Sequence, residues 1–294
     1  MNLRHFAAYL GQRFPPVNMG LFAILFLTVW SVAGTAGAKV GFSWREAGGI
    51  LATISFFFRL RVFDEIKDYA ADAINHPHRV LQSGRVTLKQ LQVLAWLGAG
   101  GELAWSWYMG PVAVAGWLLA LGYSLLMRYE FWVSEYLKKR LVLYALTHML
   151  IMPLLITWLW VAYRPELVLP ARFFMLAALS LLGGFAFEIA RKIRAPEAER
   201  AGVDSYSRAM GYRGAIGAVL LVLAGGIAVQ STLLVQLQAG VWPFGLLAGL
   251  FVLTLFVYLW AAAAPQEKLL RTAELLVSLF MLTSYVAIIV EIAV

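Results

Sequence analysis

The stretch from Arg59 to Lys89, RLRVFDEIKDYAADAINHPHRVLQSGRVTLK, decides how this chain is read. It closes an apolar run and then gathers Asp64, Glu65, Asp68 and Asp72. Asp64, Asp68 and Asp72 recur every four residues, so a helix sets them along one face, each about 40° round from the last. Carboxylates at that spacing repel one another unless a cation sits among them. Arg79, Arg85 and Lys89 follow, which points to metal ions together with an anionic ligand. Four carboxylates form a hard-oxygen set suited to Mg²⁺, which bridges a carboxylate to a phosphate while keeping several waters. The plainer alternative is a solvated helix end whose acids balance Arg59, Arg61 and Lys67. The regular recurrence, backed by a basic turn, favours the metal–phosphate site. His76 and His78 flank Pro77 and do not form a zinc pair.

Outward from this stretch the chain is mostly apolar. Of 294 residues, 62% are hydrophobic and 14% charged, with a mean hydropathy of +0.76. That balance excludes a soluble globular domain. The apolar residues fall in blocks at about 18–37, 47–63, 91–109, 112–128, 141–162, 171–189, 211–230, 241–263 and 270–293, each long enough to span a bilayer. The expectation is an all-α polytopic membrane protein, one domain over 1–294, with nine transmembrane helices in a bundle. Residues 1–17 read as an amphipathic arm in the interface, turned inward at Pro15-Pro16, and 1–19 lack the pattern of a cleaved signal peptide. With no cysteine, disulfides, thiolate metal sites and a cysteine nucleophile are excluded.

The net charge of +8 reports topology rather than a nucleic-acid partner. With the N-terminus inside, twenty of the 24 Lys and Arg fall on the cytoplasmic side, against Lys39, Arg45, Arg164 and Arg172 outside. This asymmetry orients the chain in the plasma (inner) membrane, with its active site cytoplasmic. The two longest polar connections, 64–90 and 188–210, both face the cytoplasm and both carry acids beside bases. Asp64 and Glu188 end spanning segments four helices apart, a hint of duplication about an axis along the membrane normal.

The residues DEIKDYAADAINHPHRVLQSGRVT resemble the first signature of the UbiA superfamily of intramembrane prenyltransferases. Its usual form is Asn-Asp-x-x-Asp-x-x-x-Asp, then a Pro, then Arg-Pro-hydrophobic-x-Ser-Gly. Asp64 stands at the usual Asn, Glu65 at the next Asp, and Asp68 and Asp72 at the last two. Pro77, Arg79, Ser83 and Gly84 follow in order, with Val80 in place of a Pro. The resemblance implies that Glu65, Asp68 and Asp72, with Asp64 beside them, hold Mg²⁺ ions that bind a prenyl diphosphate, which Arg79 helps to neutralise. The implied chemistry is ionisation of the allylic C–O bond and capture of the carbocation by an acceptor. Concentrated positive charge on the leaving oxygens and an apolar, aromatic cavity for the cation are what that reaction needs.

In the 4–5 connection, Tyr136, Lys139 and Arg140 are similar to a family Tyr followed by a Lys-Arg pair. They read either as diphosphate ligands or, with Lys138, as anchors of the fifth helix. His148, two turns into that helix, reads as a hydrogen-bonded packing residue before a base. The 6–7 connection departs from the family. Where a second aspartate-rich motif would bind a second Mg²⁺, this chain has Glu188 followed by Arg191, Lys192 and Arg194, and then Gly202-x-x-Ser205. Glu188 is either a metal ligand or the salt-bridge partner of Arg191. Arg191 and Lys192 would contact the diphosphate directly, replacing part of a metal's role.

Glu102 is an isolated acid expected to hydrogen-bond a neighbouring helix. Trp105, Trp107, Tyr108, Trp158 and Trp160 read as an interfacial belt. Gly98-Ala99-Gly100-Gly101 and Gly183-Gly184 suit close helix packing. The leading function is a Mg²⁺-dependent transfer of a prenyl group to an acceptor the sequence does not identify. The alternatives are a terpene cyclase of the same superfamily, a transferase using another diphosphate such as phosphoribosyl diphosphate, and a lipid-binding or transport protein without chemistry.

Overall fold

The computed structural model describes residues 2–35, 41–166, 168–200 and 204–293. Lys39, Gly202 and the end of the 18–37 segment lie outside the described residues. Among those described there are helices and no strands. In chain order the α-helices are α1 Leu3–Arg13, α2 Pro16–Gly34, α3 Trp44–Asn75, α4 Leu88–Met109, α5 Pro111–Arg128, α6 Ser134–Lys138 and α7 Leu141–Met149. They continue with α8 Ile151–Tyr163, α9 Ala171–Arg191, α10 Tyr206–Met210, α11 Tyr212–Gln236, α12 Trp242–Ala263 and α13 Glu267–Ala293.

Local chemistry fixes the ends. Ser43 with Glu46 closes a capping box on α3, and Thr87 with Gln90 does the same for α4. Pro16 and Pro111 occupy first-turn positions, where a missing N–H costs nothing. Between α3 and α4 the motif turn ends at Gly84, whose φ of +75° is a conformation that favours glycine. The Ser-Gly pair of the signature is thereby a backbone requirement.

The long helices pack in chain order, α2 on α3, α3 on α4, α4 on α5, α5 on α8, α8 on α9, α9 on α11, α11 on α12 and α12 on α13. Contact of α13 with α2 closes the ring. Among the described residues, seven spans are long and apolar enough to cross a membrane: α2, α5, α7 with α8, α9, α11, α12 and α13. The expected segments 47–63 and 91–109 fall in α3 and α4, whose apolar runs are broken by Arg59 and Arg61 in one and Glu102 in the other.

Two expectations are corrected by packing and two are extended, the first of these being that Glu102 hydrogen-bonds neighbouring helices, as it does. Glu102 is not isolated: it is fully buried in an ion pair with fully buried Arg59 of α3 and accepts hydrogen bonds from Ser55 Oγ (2.8 Å) and Trp117 Nε1 (2.9 Å). The tryptophan belt divides. Trp107 and Tyr108 are 77% and 70% exposed, but Trp105, Trp158 and Trp160 are core residues. Trp105 Nε1 donates to the Arg45 carbonyl and Trp158 Nε1 to Ser106 Oγ. Only some of the glycines are contact points: a Cβ on Gly98 would lie 2.3 Å from Ser55 Oγ, while Gly100 and Gly101 face open space. Finally, α1 also docks against the motif turn. Its Tyr9 is fully buried with Val62, Val80, Leu81, Val86, Leu91 and Ala95 in a small separate core beneath the motif turn.

Candidate active site

Helix α3 runs unbroken for 32 residues, about 48 Å at 1.5 Å per residue. Its last turns carry the acids. At 100° per residue Asp64 and Asp68 lie about 40° apart, whereas Asp72 and Glu65 lie about 80° and 100° from Asp64. The four acids thus form two pairs facing different neighbours.

Glu65 and Asp72 face α1. Glu65 is buried and accepts from Arg13 Nε at 2.6 Å and Arg61 Nη2 at 2.8 Å. Asp72 accepts from Arg79 Nη1 at 2.6 Å and lies 3.5 Å from Arg13 Nη2. Burial holds the Glu65 carboxyl above its usual range, and Arg13 pulls it back. Arg13 bridges both acids. The latch has a second point, because the Val80 N–H donates to Gln12 Oε1 at 3.0 Å. Proline, usual at that place in the signature, has no N–H to give.

Asp64 and Asp68 instead line a cavity of ≈ 750 Å³. Asp64 lies 2.9 Å from Lys67 Nζ, which also donates to the Tyr144 hydroxyl at 3.5 Å. Burial works against the Lys67 charge, but the adjacent Asp64 outweighs it and holds the ammonium above the ordinary range. Asp68 is exposed along the cavity yet walled in by protein. That enclosure, and after it the charge of Asp64, raises its carboxyl above the usual range.

From other elements the same cavity receives Lys139 after α6 and Glu188, Arg191 and Lys192 at the end of α9. The Glu188 carboxylate is bonded by both Arg191 (Nε, 2.6 Å) and Lys192 (Nζ, 2.7 Å). The salt-bridge alternative for Glu188 is therefore realised, with Lys192 added to it. Lys139 makes no ion pair among the described residues. Arg140 is exposed and stacks its guanidinium on Tyr136 at 3.9 Å, outside the cavity lining. Neither Glu65, Asp72 nor Arg79 lines the cavity. Helical drift separates Glu65 and Asp72 from Asp64, and Arg79, in the turn after α3, is drawn to Asp72.

Sequence reasoning did not assign Arg13, Arg61, Lys67, Arg128, Glu130, Lys138 and Asp204 to the site, and all of them line the cavity. Lys67 carried a local signal, three residues after Asp64. Arg13 carried none, because its partners are 52 and 59 positions away. In all, eight basic and five acidic side chains line the cavity, a positive excess suited to an anion. Phe22, Phe57, Leu60, Ile151 and Met152 form apolar lining. Phe22 and Phe57 stack at 3.8 Å, nearly parallel.

Among the described residues no three His, Asp or Glu side chains converge as a metal cage. This donor set fits Mg²⁺ nonetheless, since that ion is commonly held by one or two carboxylates with water and phosphate oxygens completing its shell. Asp64 and Asp68 are the carboxylates of α3 that line the cavity.

His148 also lines the cavity. Its Nδ1 lies 2.8 Å from the Tyr144 carbonyl, its ring stacks on Tyr144 at 4.0 Å, and Phe131 meets it edge-on at 6.0 Å. Phe131 is delivered by a strained turn: Glu130, Phe131 and Trp132 have φ of 49°, 55° and 57° in succession. Each non-glycine residue there costs about 1–2 kcal/mol. Strain of that kind persists where the surroundings hold it, commonly at functional sites.

The sequence pattern of the UbiA prenyltransferase family matches residues 15–283 of this chain. The bacteriochlorophyll synthase 34 kDa chain of Chloroflexus aurantiacus is 31% identical over 115 residues, 34% of this chain and 36% of that protein. The match therefore spans about a third of that relative's length. A structure reported for digeranylgeranylglyceryl phosphate synthase superposes with a TM-score of 0.68 at 15% identity, over 98% of this chain and 99% of that one. A UbiA homolog from Archaeoglobus fulgidus bound to GPP and Mg²⁺ gives 0.53 at 13% identity, over 92% and 96%. At those identities the two structures establish a shared fold.

Proposed function

This chain belongs to the UbiA prenyltransferase family, and from that premise we propose that it is a Mg²⁺-dependent intramembrane transferase. It moves a prenyl group from a prenyl diphosphate to an acceptor. The observation that carries the proposal is the cavity itself, where Asp64, Asp68, Lys139, Arg191 and Lys192 meet above stacked phenylalanine faces.

In this reading Asp64 and Asp68 hold Mg²⁺, which when bound neutralises the diphosphate and aids its departure. Lys139 binds the diphosphate directly. Arg191 and Lys192, held by Glu188, present fixed positive charge to the same group, where the family would use a second metal. Breaking the allylic C1–O bond sends its electron pair to the diphosphate. The cation left behind faces Phe22 and Phe57, whose ring quadrupoles favour positive charge. Apolar walls keep water from capturing it. Glu65, Asp72 and Arg79 act one step removed, fixing the end of α3 and the motif turn through Arg13.

The whole chain reads as one membrane-embedded domain of nine spanning segments, α3 and α4 included, with the cavity mouth and the 64–90 and 188–210 connections on the cytoplasmic side. With Arg59 set apart as buried inside the bundle, 19 of the 24 Lys and Arg fall on that side and support this orientation. The decisive experiment measures Mg²⁺-dependent diphosphate release from geranyl diphosphate by purified protein in lipid nanodiscs. Asp68→Ala is expected to reduce it by at least a hundredfold. Wild-type rates in both Asp64→Ala and Asp68→Ala would overturn the proposal.

A further inference from the structure

The cavity holds one buried polar atom whose partner is missing. His148 is 7% exposed and its Nε2 has no hydrogen-bond partner among the described residues. The other ring nitrogen decides what Nε2 can do. A carbonyl only accepts, so the Nδ1 that meets the Tyr144 carbonyl at 2.8 Å carries the proton. In the neutral ring Nε2 is then a lone-pair acceptor. The tautomer and the ring's direction are both fixed, by the carbonyl, by the Tyr144 face and by the Phe131 edge.

A buried acceptor left unpaired is costly. Its complement is a donor that arrives from outside the chain. Depth identifies which reactant that is. His148 lies seven residues into the helix that begins at Leu141, about 10 Å below the charged lip at 1.5 Å per residue. Its ring stacks on Tyr144, whose hydroxyl takes a hydrogen bond from Lys67, and Met149 and Met152 line the same cavity. A diphosphate carries no proton to spare in a site built of cations, and a prenyl tail has no polar hydrogen at all. The acceptor is the reactant that remains.

We propose that His148 Nε2 receives the O–H of the acceptor, so that this protein prenylates a hydroxyl-bearing molecule rather than a carboxylate. This rests on the transferase reading above. In the step, the C1–O bond breaks with its electron pair going to the diphosphate, and an oxygen lone pair of the acceptor then forms the new bond to the allylic C1 cation. The hydroxyl proton passes to Nε2 and leaves with product to water. A carboxylate nucleophile brings no proton and would set an anion against the Nε2 lone pair.

The test uses three fluorescent probes of one shape, 1-naphthol, 1-methoxynaphthalene and 1-naphthoate, titrated into the full chain in nanodiscs with Mg²⁺ and inorganic diphosphate. Wild type is expected to bind 1-naphthol about tenfold tighter than either of the others. His148→Phe should lose that preference. His148→Gln, whose amide oxygen can accept, should keep most of it while prenyl transfer to 1-naphthol from geranyl diphosphate falls in kcat more than in KM. Equal binding of 1-naphthol and 1-methoxynaphthalene by wild type would overturn the proposal without any variant, and so would a preference that survives in His148→Phe. Asp68→Ala separates the two levels of argument. It should lose diphosphate release yet keep the 1-naphthol preference, so failure of the transferase reading and failure of the His148 assignment give different results.

Discussion

Arg13 illustrates how a single side chain sets the character of a site it was not expected to join. It bonds Glu65 and approaches Asp72, so two of the four signature acids are neutralised by protein before any ligand arrives. Arg13→Ala leaves Glu65, already raised by burial, with Arg61 alone. The expected outcome is a weaker and broader Mg²⁺ requirement for turnover, read from the rate as a function of Mg²⁺, together with a lowered unfolding midpoint. On the α9 side, Lys192→Met should raise KM for geranyl diphosphate by about tenfold with less effect on kcat, since it removes one charge-assisted contact. Asp64 and Asp68 were legible because their order on the helix follows from spacing alone. The split between them and Glu65 with Asp72 was equally contained in 100° per residue. Which side faced the cavity was not, because that depends on α1, which meets α3 from far away in sequence.

At the scale of elements, α1 is a latch on the motif turn. Tyr9 inserts into the small core and Gln12 takes the Val80 N–H. Val80→Pro removes that donor and is expected to cost about 1 kcal/mol in holding the arm. Faster cleavage of the arm by a protease, with the other helices protected, is the measurement. The two helix starts at Ser43 and Thr87 were readable from their capping partners, and the breaks at Pro16 and Pro111 from proline itself. The division of the 141–162 segment into α7 and α8 was not. Leu150 keeps helical dihedrals there, and Pro153, just beyond, has no N–H to give the Met149 carbonyl.

Across the whole molecule, chain-order packing closed by α13 on α2 means that the cavity is walled by helices from both halves of the sequence. Apolar blocks announced the helices, but no local pattern announces ring closure. The buried pair of Arg59 and Glu102 belongs to this scale, since it joins α3 to α4 inside the bundle. Breaking such a pair from one side strands a buried charge, at roughly 3–5 kcal/mol. Glu102→Leu should therefore depress the unfolding midpoint sharply, while Glu102→Leu combined with Arg59→Leu recovers most of the loss. The pair also has a consequence for biogenesis. Each of the two helices, taken alone, offers the translocon a bare charge that costs about 2.5–3.5 kcal/mol near the centre of a membrane helix. Together they offer none. On the nine-span reading, α3 and α4 enter the bilayer as a hairpin, the first waiting beside the translocon until the second is made. A glycosylation reporter fused after α3 should show poor insertion, fused after α4 efficient insertion of both, and with Arg59→Leu insertion of α3 on its own.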